Sequence, residues 1–299
     1  MRHLILPFLL IVCLSVSQAQ TVALVLSGGG AKGLAHIGVI KILEKNNIPI
    51  DFIAGTSAGA MVGGMYAYSK NIASLEEQFL NKNWFQMLTY FADPSLKGGF
   101  IQGNRMEEFL QEYLQSATFD KLKIPFQATA VDLRSGKMKI LREGPVSTSI
   151  RASCAIPMLF KPVEIDKRLY VDGGLISSVP VQTVKKMGAD IVIAVQLNKY
   201  YEPTQDLSSL NILEIGELSL SIVERRIAED EVSAADFIIH PKVAQIRWDN
   251  LIQRDKRANG ILLGENAANE SITQIKMKVG ENKISHTINQ WIKRIKKLF

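Results

Sequence analysis

The chain has 299 residues, of which 47% are hydrophobic and 21% are charged, and it contains 21 Gly, 10 Pro and 2 Cys. These fractions are those of an ordinary globular protein, so they exclude a disordered, collagen-like or disulfide-dense chain. The formal net charge is +6. The length suits one large domain or two small ones, either of which can bury a substantial core.

The first 19 residues are typical of a secretory signal peptide. Arg2 precedes an apolar run over residues 4–16, and residues 17–19 offer small side chains at the cleavage positions. The run is too short to span a membrane. We expect cleavage near Ala19 and a periplasmic, outer-membrane-associated or secreted mature protein. Lipidation of Cys13 stays open.

Cleavage there removes Cys13 and leaves Cys154 as the single cysteine, so no intramolecular disulfide is expected. The remaining histidines are His36, His240 and His286, and no two of them have the spacing of metal ligands on a helix. The sequence therefore argues against a metalloenzyme.

Short apolar runs alternate with helical patterns over the first two hundred residues, which predicts a mostly parallel sheet covered on both faces. A long helical pattern, a last short strand and a polar, mostly helical remainder follow. We expect one α/β domain over residues 20–240 and a helical C-terminal extension over residues 241–299. Strands are predicted at residues 21–26, 50–54, 126–131, 138–141, 169–171, 191–195 and 237–240, and helices at 34–45, 58–68, 106–114, 181–187 and 207–235.

The glycine loop Gly28-Gly29-Gly30-Ala31-Lys32-Gly33 joins the first predicted strand to the first helix. Consecutive glycines let several backbone N–H groups point at one spot, and the following helix adds its positive end. Such a loop can hold a phosphate or a developing oxyanion. A dinucleotide site would need an acidic residue after the second strand, and a P-loop would need Ser or Thr after the lysine. The sequence has neither, so both nucleotide interpretations are disfavoured.

A second segment, Gly55-Thr56-Ser57-Ala58-Gly59, matches G-x-S-x-G between a predicted strand and helix. Its glycines allow a sharp turn that exposes Ser57 at a helix N-terminus, where a serine nucleophile and a negative intermediate are favoured. The alternative is that Ser57 only caps the helix. Both loops leave strand ends on the same side of a parallel sheet.

A serine nucleophile needs a base, and a conventional triad is hard to assemble. His36 lies inside the first helix among small and apolar residues, a setting more typical of a packed histidine. The segment Tyr170-Val171-Asp172-Gly173-Gly174 places an acidic residue at the end of a short strand. Residue chemistry alone leaves Asp172 equally open to a role as base or as a turn residue that accepts nearby N–H groups.

These three segments, in this order, resemble those of the patatin-like phospholipases, acyl hydrolases related to the plant storage protein patatin. The resemblance covers roughly residues 21–200. It implies a three-layer α/β/α sandwich with a mostly parallel central sheet, and a serine–aspartate dyad without histidine. Ser57 would be the nucleophile and Asp172 its general base. The oxyanion hole would be formed by the backbone N–H groups of Gly28, Gly29 and Gly30.

The resemblance also implies a lipid or acyl-ester substrate and neither a metal nor an organic cofactor. We therefore expect a secreted or periplasmic serine acyl hydrolase of the phospholipase A, lysophospholipase or esterase type. The alternative is a catalytically idle lipid-binding or membrane-associated module with the same fold. The presence of both Ser57 and Asp172 argues against that alternative, because a binding module needs neither.

The C-terminal segment is basic and amphipathic. Ile284, Ile288, Trp291, Ile295 and Leu298 fall on one helical face, with lysines and arginine away from its centre. Such a helix either docks on the domain or contacts an anionic lipid surface. The chain lacks a nucleic-acid recognition motif, so nucleic acid is not expected as a partner.

Overall fold

Strand β1 (Val22–Leu26) shows why the sheet is covered on both faces. All five residues are fully buried. Its first, third and fifth residues pack into one core, whereas Ala23 and Val25 pack into a second core on the opposite face. Because successive strand residues point to opposite faces, a wholly apolar strand requires a helical layer on each side of the sheet.

The computed structural model describes residues 20–82, 93–95, 98–199 and 212–296. The predicted signal peptide lies outside these residues, as do the side chains of the amphipathic C-terminal face. The strands described are β1, β2 (Phe52–Thr56), β3 (Phe126–Asp132), β4 (Lys137–Leu141), β5 (Val163–Ile165), β6 (Arg168–Asp172), β7 (Ile191–Val195) and β8 (Phe237–Ile239). The α-helices described are α1 (Leu34–Lys45), α2 (Ala58–Ser69), α3 (Ile72–Leu80), α4 (Asn104–Tyr113), α5 (Val146–Ser153), α6 (Val181–Met187), α7 (Ile212–Val232) and α8 (Arg254–Lys296).

The strands form a single sheet in the order β5-β6-β3-β2-β1-β7-β8, with β4 also beside β3. Strands β3, β2, β1, β7 and β8 run parallel, and β4, β5 and β6 are antiparallel to their neighbours. Helices α6 and α7 pack on one face of the sheet, and α1, α2, α3, α4 and α8 pack on the other. The predicted three-layer α/β/α sandwich with a mostly parallel sheet is therefore confirmed.

Strands β2 and β6 lie one after the other along the same edge of β3. Strand β4 pairs with β3 from Ala128 to Asp132, overlapping the pairings of both β2 and β6, so it must occupy the opposite edge. On the shared edge, Thr56 of β2 pairs with Thr129, and Asp172 of β6 pairs with Ala130. The ends of the two strands therefore meet at consecutive positions of β3.

Three elements of the structure are absent from the sequence-based prediction: α3, α5 and β5. Helix α5 has the sequence VSTSIRAS, whose serine, threonine and valine are weak helix formers. Most of its residues are buried, so packing stabilises it rather than intrinsic propensity. Strand β5 has only three residues and is held by antiparallel pairing with β6.

The long helix α8 is an integral part of the domain. Its residues Ile261, Ala268 and Ile275 are buried in the same core as β1. The expected helical character of residues 241–299 is present from Arg254 to Lys296, but the core is continuous across the boundary we placed at residue 240. No described helix is both long and apolar enough to cross a membrane.

Helices α1 and α8 approach each other so closely that two glycines face backbone atoms of the opposite helix. A Cβ atom on Gly38 would overlap the carbonyl oxygen of Ile261, and one on Gly264 would overlap that of Ala35. Backbone atoms cannot move aside as a flexible side chain can, so these positions require glycine.

We predict that Gly38→Ala lowers the free energy of unfolding by about 1–3 kcal/mol, because overpacking outweighs the better helix propensity of alanine. Gly280→Ala, in α8 with no atom within 4 Å of its Cβ, is the matched control and should stabilise the protein by about 0.5–1 kcal/mol. Urea unfolding curves measure both. A Gly38→Ala protein as stable as wild type would contradict the close packing of α1 on α8.

Candidate active site

Ser57 occupies a strained turn between β2 and α2. Its backbone has φ 52° and ψ −121°, a conformation that residues other than glycine rarely adopt. The Ser57 N–H donates to Ser153 Oγ at 2.9 Å. Gly59 packs so closely on the end of β1 that a Cβ atom there would overlap the carbonyl oxygen of Leu26. The turn therefore presents the Ser57 side chain at the N-terminus of α2, where it lines a cavity of about 660 Å³.

Asp172 is the last residue of β6 and is 3% exposed. Its N–H donates to the carbonyl oxygen of Ala155 at 3.0 Å, and its Oδ1 accepts the N–H of Gly174 at 2.8 Å. Among the described residues, its Oδ2 has no hydrogen-bond partner although it is buried. One carboxylate oxygen is therefore fixed by the backbone, and the other is available to a reacting group.

The edge of β3 that β2 and β6 share brings Ser57 and Asp172 together, and both line the 660 Å³ cavity. Ser57 directly follows Thr56, which pairs with Thr129 of β3. Asp172 pairs with Ala130, the next residue of β3. The Ser57 hydroxyl is close enough to the carboxyl group to oppose part of the rise in pKa that burial causes. Asp172 Oδ2 has no hydrogen-bond partner of normal geometry among the described residues. The Ser57 hydroxyl and the carboxyl group are therefore adjacent without a well-formed hydrogen bond between them, as is common in unliganded active sites.

Burial raises the pKa of Asp172 to about 6. Removal from water disfavours the charged carboxylate, and the nearby Ser57 hydroxyl and the hydrogen bond from the Gly174 N–H only partly oppose that effect. Cys154 lies close by, and burial together with the negative charge of Asp172 raises the pKa of its thiol. The thiol therefore stays neutral, whereas the carboxyl group titrates in a range useful to a general base.

The glycine loop contributes two free backbone donors beside this pair. The N–H groups of Gly29 and Gly30 make no hydrogen bond within the described residues. Both residues have positive φ angles, 154° and 53°, which favour glycine. Gly29 and Gly30 also line the cavity next to Ser57.

The expectation for Gly28 requires correction. Its N–H donates to the carbonyl oxygen of Ser178 at 3.0 Å, so it is already used in joining the loop to the segment after Asp172. The candidate oxyanion donors that the structure places at the cavity are therefore those of Gly29 and Gly30.

His36 is a packed histidine. It is fully buried, and its Nε2 lies 2.9 Å from the carbonyl oxygen of Ser27, to which it donates. Burial lowers its pKa to about 4, so the ring is neutral. Its contact supports the residue before the glycine loop. Among the described residues, no histidine lines the cavity at Ser57.

One wall of the cavity carries a chain of polar side chains that the sequence did not indicate. Lys32 Nζ donates to Asn198 Oδ1 at 3.1 Å, and Asn198 Nδ2 donates to Glu224 Oε2 at 2.8 Å. Glu224 comes from α7, whose charged residues are typical of a solvated helix face. Ser153, whose hydroxyl accepts the Ser57 N–H, was not assigned a role from the sequence. Only the tertiary fold reveals both roles.

Within the described ranges, no group of three or more His, Cys, Asp or Glu side chains is placed to hold a metal ion. The polar groups nearest to Ser57 in the cavity are its own hydroxyl, the Asp172 carboxyl group of raised pKa and the two backbone N–H groups of Gly29 and Gly30. This set is suited to acyl transfer, in which a nucleophile, a base and oxyanion donors surround one carbonyl group.

Comparison with known protein families gives an independent result. The family model described as patatin-like phospholipase matches residues 24–185, which include the glycine loop, Ser57 and Asp172. The chain belongs to the patatin-like phospholipase family. The resemblance noted from the three sequence segments is thereby confirmed.

Relatives of this patatin-like protein occur in bacteria, fungi and animals. It is 37% identical over 188 residues to an uncharacterized NTE family protein of Mycobacterium tuberculosis, covering 61% of this chain and 50% of that protein. It is 32% identical over 190 residues to the lysophospholipase NTE1 of Debaryomyces hansenii, covering 62% and 12% of the two chains. For patatin-like phospholipase domain-containing protein 6 of Homo sapiens the identity is 29% over 201 residues, covering 65% and 14%.

The chain thus spans half or less of the length of these relatives. Among solved structures, the crystal structure of VipD from Legionella pneumophila matches with a TM-score of 0.52 at 13% identity, covering 86% of this chain and 67% of that chain. At this level of identity the match supports the shared fold alone.

If Asp172 acts as a base in this patatin-like site, activity should depend on its ionisation. We predict that kcat/KM for an ester substrate rises with pH up to about 6 and is then constant, because only the carboxylate accepts a proton. Initial rates from pH 4 to 9 measure the profile. A profile that is flat between pH 4 and 7 would contradict the assignment.

The same pKa affects stability. The native state retains the Asp172 proton up to about pH 6, whereas the unfolded chain loses it near 3.8. Unfolding therefore becomes easier as pH rises through that interval. Asp172→Asn should accordingly exceed wild type in stability by about 2–3 kcal/mol at pH 8, with the difference shrinking toward pH 4.

Proposed function

We propose that this protein is a serine lipid acyl hydrolase that cleaves carboxylic esters through an acyl-enzyme on Ser57, with Asp172 as general base. The observation that carries the proposal is the buried carboxyl group of Asp172, which has an unpartnered oxygen and a raised pKa and lies next to a serine in a strained turn. Membership of the patatin-like phospholipase family supports a lipid ester as the substrate class.

In the first half of the reaction, Ser57 Oγ attacks the ester carbonyl carbon while its proton passes to Asp172. The carbonyl oxygen becomes an oxyanion and accepts hydrogen bonds from the N–H groups of Gly29 and Gly30, at the positive end of the following helix. The C–O bond to the leaving alcohol then breaks. The alcohol takes the proton from Asp172, and the acyl group remains on Ser57.

In the second half, a water molecule replaces the alcohol. Asp172 accepts a proton from the water as its oxygen attacks the acyl carbon, and the same two N–H groups stabilise the new oxyanion. The bond to Ser57 Oγ breaks, the proton returns to Ser57, and a carboxylic acid is released. A dyad performs this cycle without histidine because the raised pKa of Asp172 makes it a better proton acceptor than an ordinary aspartate.

The relatives support a phospholipase A, lysophospholipase or esterase activity, because two of them are named as a lysophospholipase and as a patatin-like phospholipase domain-containing protein. We further propose that residues 1–19 direct export and that the protein acts in the periplasm, at the outer membrane or outside the cell. Amino-terminal sequencing of exported protein tests this part of the proposal, for which we expect Gln20 as the first residue.

We predict that Ser57→Ala and Asp172→Asn each lower kcat for a medium-chain p-nitrophenyl ester and for a phospholipid by about 10³ or more, since nucleophile and base act as a unit. The assay uses mature protein in the presence of a chelator. Circular dichroism of each variant shows whether the fold is retained.

Two variants in the same cavity serve as matched controls. Ser221→Ala and Asp249→Asn change a serine and an aspartate that line the 660 Å³ cavity without belonging to the pair, and both should retain activity within about tenfold of wild type. Full activity of Ser57→Ala would exclude the proposed acyl-enzyme. Inactive wild-type protein that binds lipid would instead favour the idle binding module.

A further inference from the structure

A second, smaller cavity of about 100 Å³ opens beside Ser57. It lies between helices α1, α2, α3 and α4, and its described walls are almost entirely apolar. Apart from Ser57 and the neutral thiol of Cys154, Gln78 contributes the polar side chain found there. The apolar side chains of this wall include Met61 of α2, Phe79 of α3, Phe109 of α4 and Leu251.

The two cavities meet at the nucleophile. Both are lined by Ser57, by Gly30 and Ala31 of the glycine loop, and by Ile156, Trp248 and Leu251. They differ in polarity. Much of the larger cavity's lining is apolar as well, but that cavity also carries charged or polar side chains, among them Lys32, Asp172, Asn198, Glu224, Arg247 and Asp249, which the smaller cavity lacks. An ester bound at Ser57 therefore has an almost wholly apolar space on one side of its carbonyl group and a space of mixed polarity on the other.

We propose that the smaller cavity is the acyl-binding site and takes a linear, unbranched acyl chain of short to medium length, while the larger cavity holds the leaving group. This inference rests on the proposed acyl-hydrolase function. Methylene groups gain free energy on leaving water for apolar walls, and they would displace hydration from charged groups in the other cavity. The small volume limits the length of chain that fits.

Met61 and Phe109 are positioned to set that length. Met61 lies in the first turn of α2, where its N–H donates to the Ser57 carbonyl oxygen at 3.0 Å, and both residues line the smaller cavity. Phe109 reaches the cavity from α4. Both are only partly buried, so substitution changes the cavity with limited damage to the core.

The opposite wall is held in place by a buried arginine of α8. Arg257 is fully buried, and its guanidinium donates to the carbonyl oxygens of Phe79 and Leu251, each at 2.6 Å. Phe79 and Leu251 both line the smaller cavity. The cavity therefore has a fixed wall on that side, as a chain-length filter requires.

The test compares kcat/KM for p-nitrophenyl esters from butyrate to palmitate. Wild type should prefer a short or medium chain. Met61→Ala and Phe109→Ala should shift the preference to longer chains and raise the laurate-to-butyrate ratio at least tenfold, since each buried methylene is worth about fourfold. Met61→Phe should shift the preference to shorter chains. Leu220→Ala, which changes a leucine lining the larger cavity alone, is the matched control and should leave the ratio unchanged.

A second readout does not require turnover. Calorimetry of hexanoate binding to the Ser57→Ala protein should show binding that Met61→Phe weakens at least tenfold and Leu220→Ala leaves intact. This pattern together with inactive wild type would refute the proposed hydrolysis and retain the binding site. The inference would be overturned by a chain-length ratio or a hexanoate affinity that responds to Leu220→Ala but not to the Met61 and Phe109 substitutions. Absence of hexanoate binding would also overturn it.

Discussion

The edge of strand β3 is the constraint on which the proposed chemistry depends. Strand β2 ends opposite Thr129, and β6 ends opposite Ala130, so the turn at Ser57 and the carboxyl group of Asp172 are brought together by the hydrogen-bonded register of one strand. A shift of either strand by one residue would point its side chains to the other face of the sheet. The position of the pair is therefore set by the sheet rather than by flexible loops.

The site combines two features that cost stability: a serine with φ 52° and a buried carboxyl group. Both persist because the surroundings fix them through the Ser153 hydroxyl and the Gly174 N–H, and because two apolar cores hold the sheet between layers of helices. Burial is also what raises the pKa of Asp172. The same desolvation that disfavours the charged native state thus makes the carboxylate a more effective proton acceptor.

Local patterns in the sequence were sufficient to predict the parallel sheet and the turn at Ser57. An apolar strand, a glycine-containing turn and a helical pattern follow one another there within a few residues. They were insufficient wherever a role depends on a distant partner. The N–H of Gly28 is occupied by Ser178, which is remote in sequence. The smaller cavity beside Ser57 lies between four helices, one of which, α3, was not predicted. Helix α8 was expected as a C-terminal extension of undetermined role, because its polar sequence does not reveal the close contact of Gly264 with α1.

The most direct measurement is reaction of the mature protein with an alkyl fluorophosphonate, followed by mass spectrometry of its peptides. In this reaction a bond forms between the serine oxygen and phosphorus, the P–F bond breaks, and the serine proton leaves with fluoride. Our account predicts one adduct per chain, on Ser57, formed more slowly below about pH 6 as Asp172 becomes protonated. An adduct on another residue, or equal labelling of the Ser57→Ala protein, would contradict the central claim that Ser57 is an activated nucleophile.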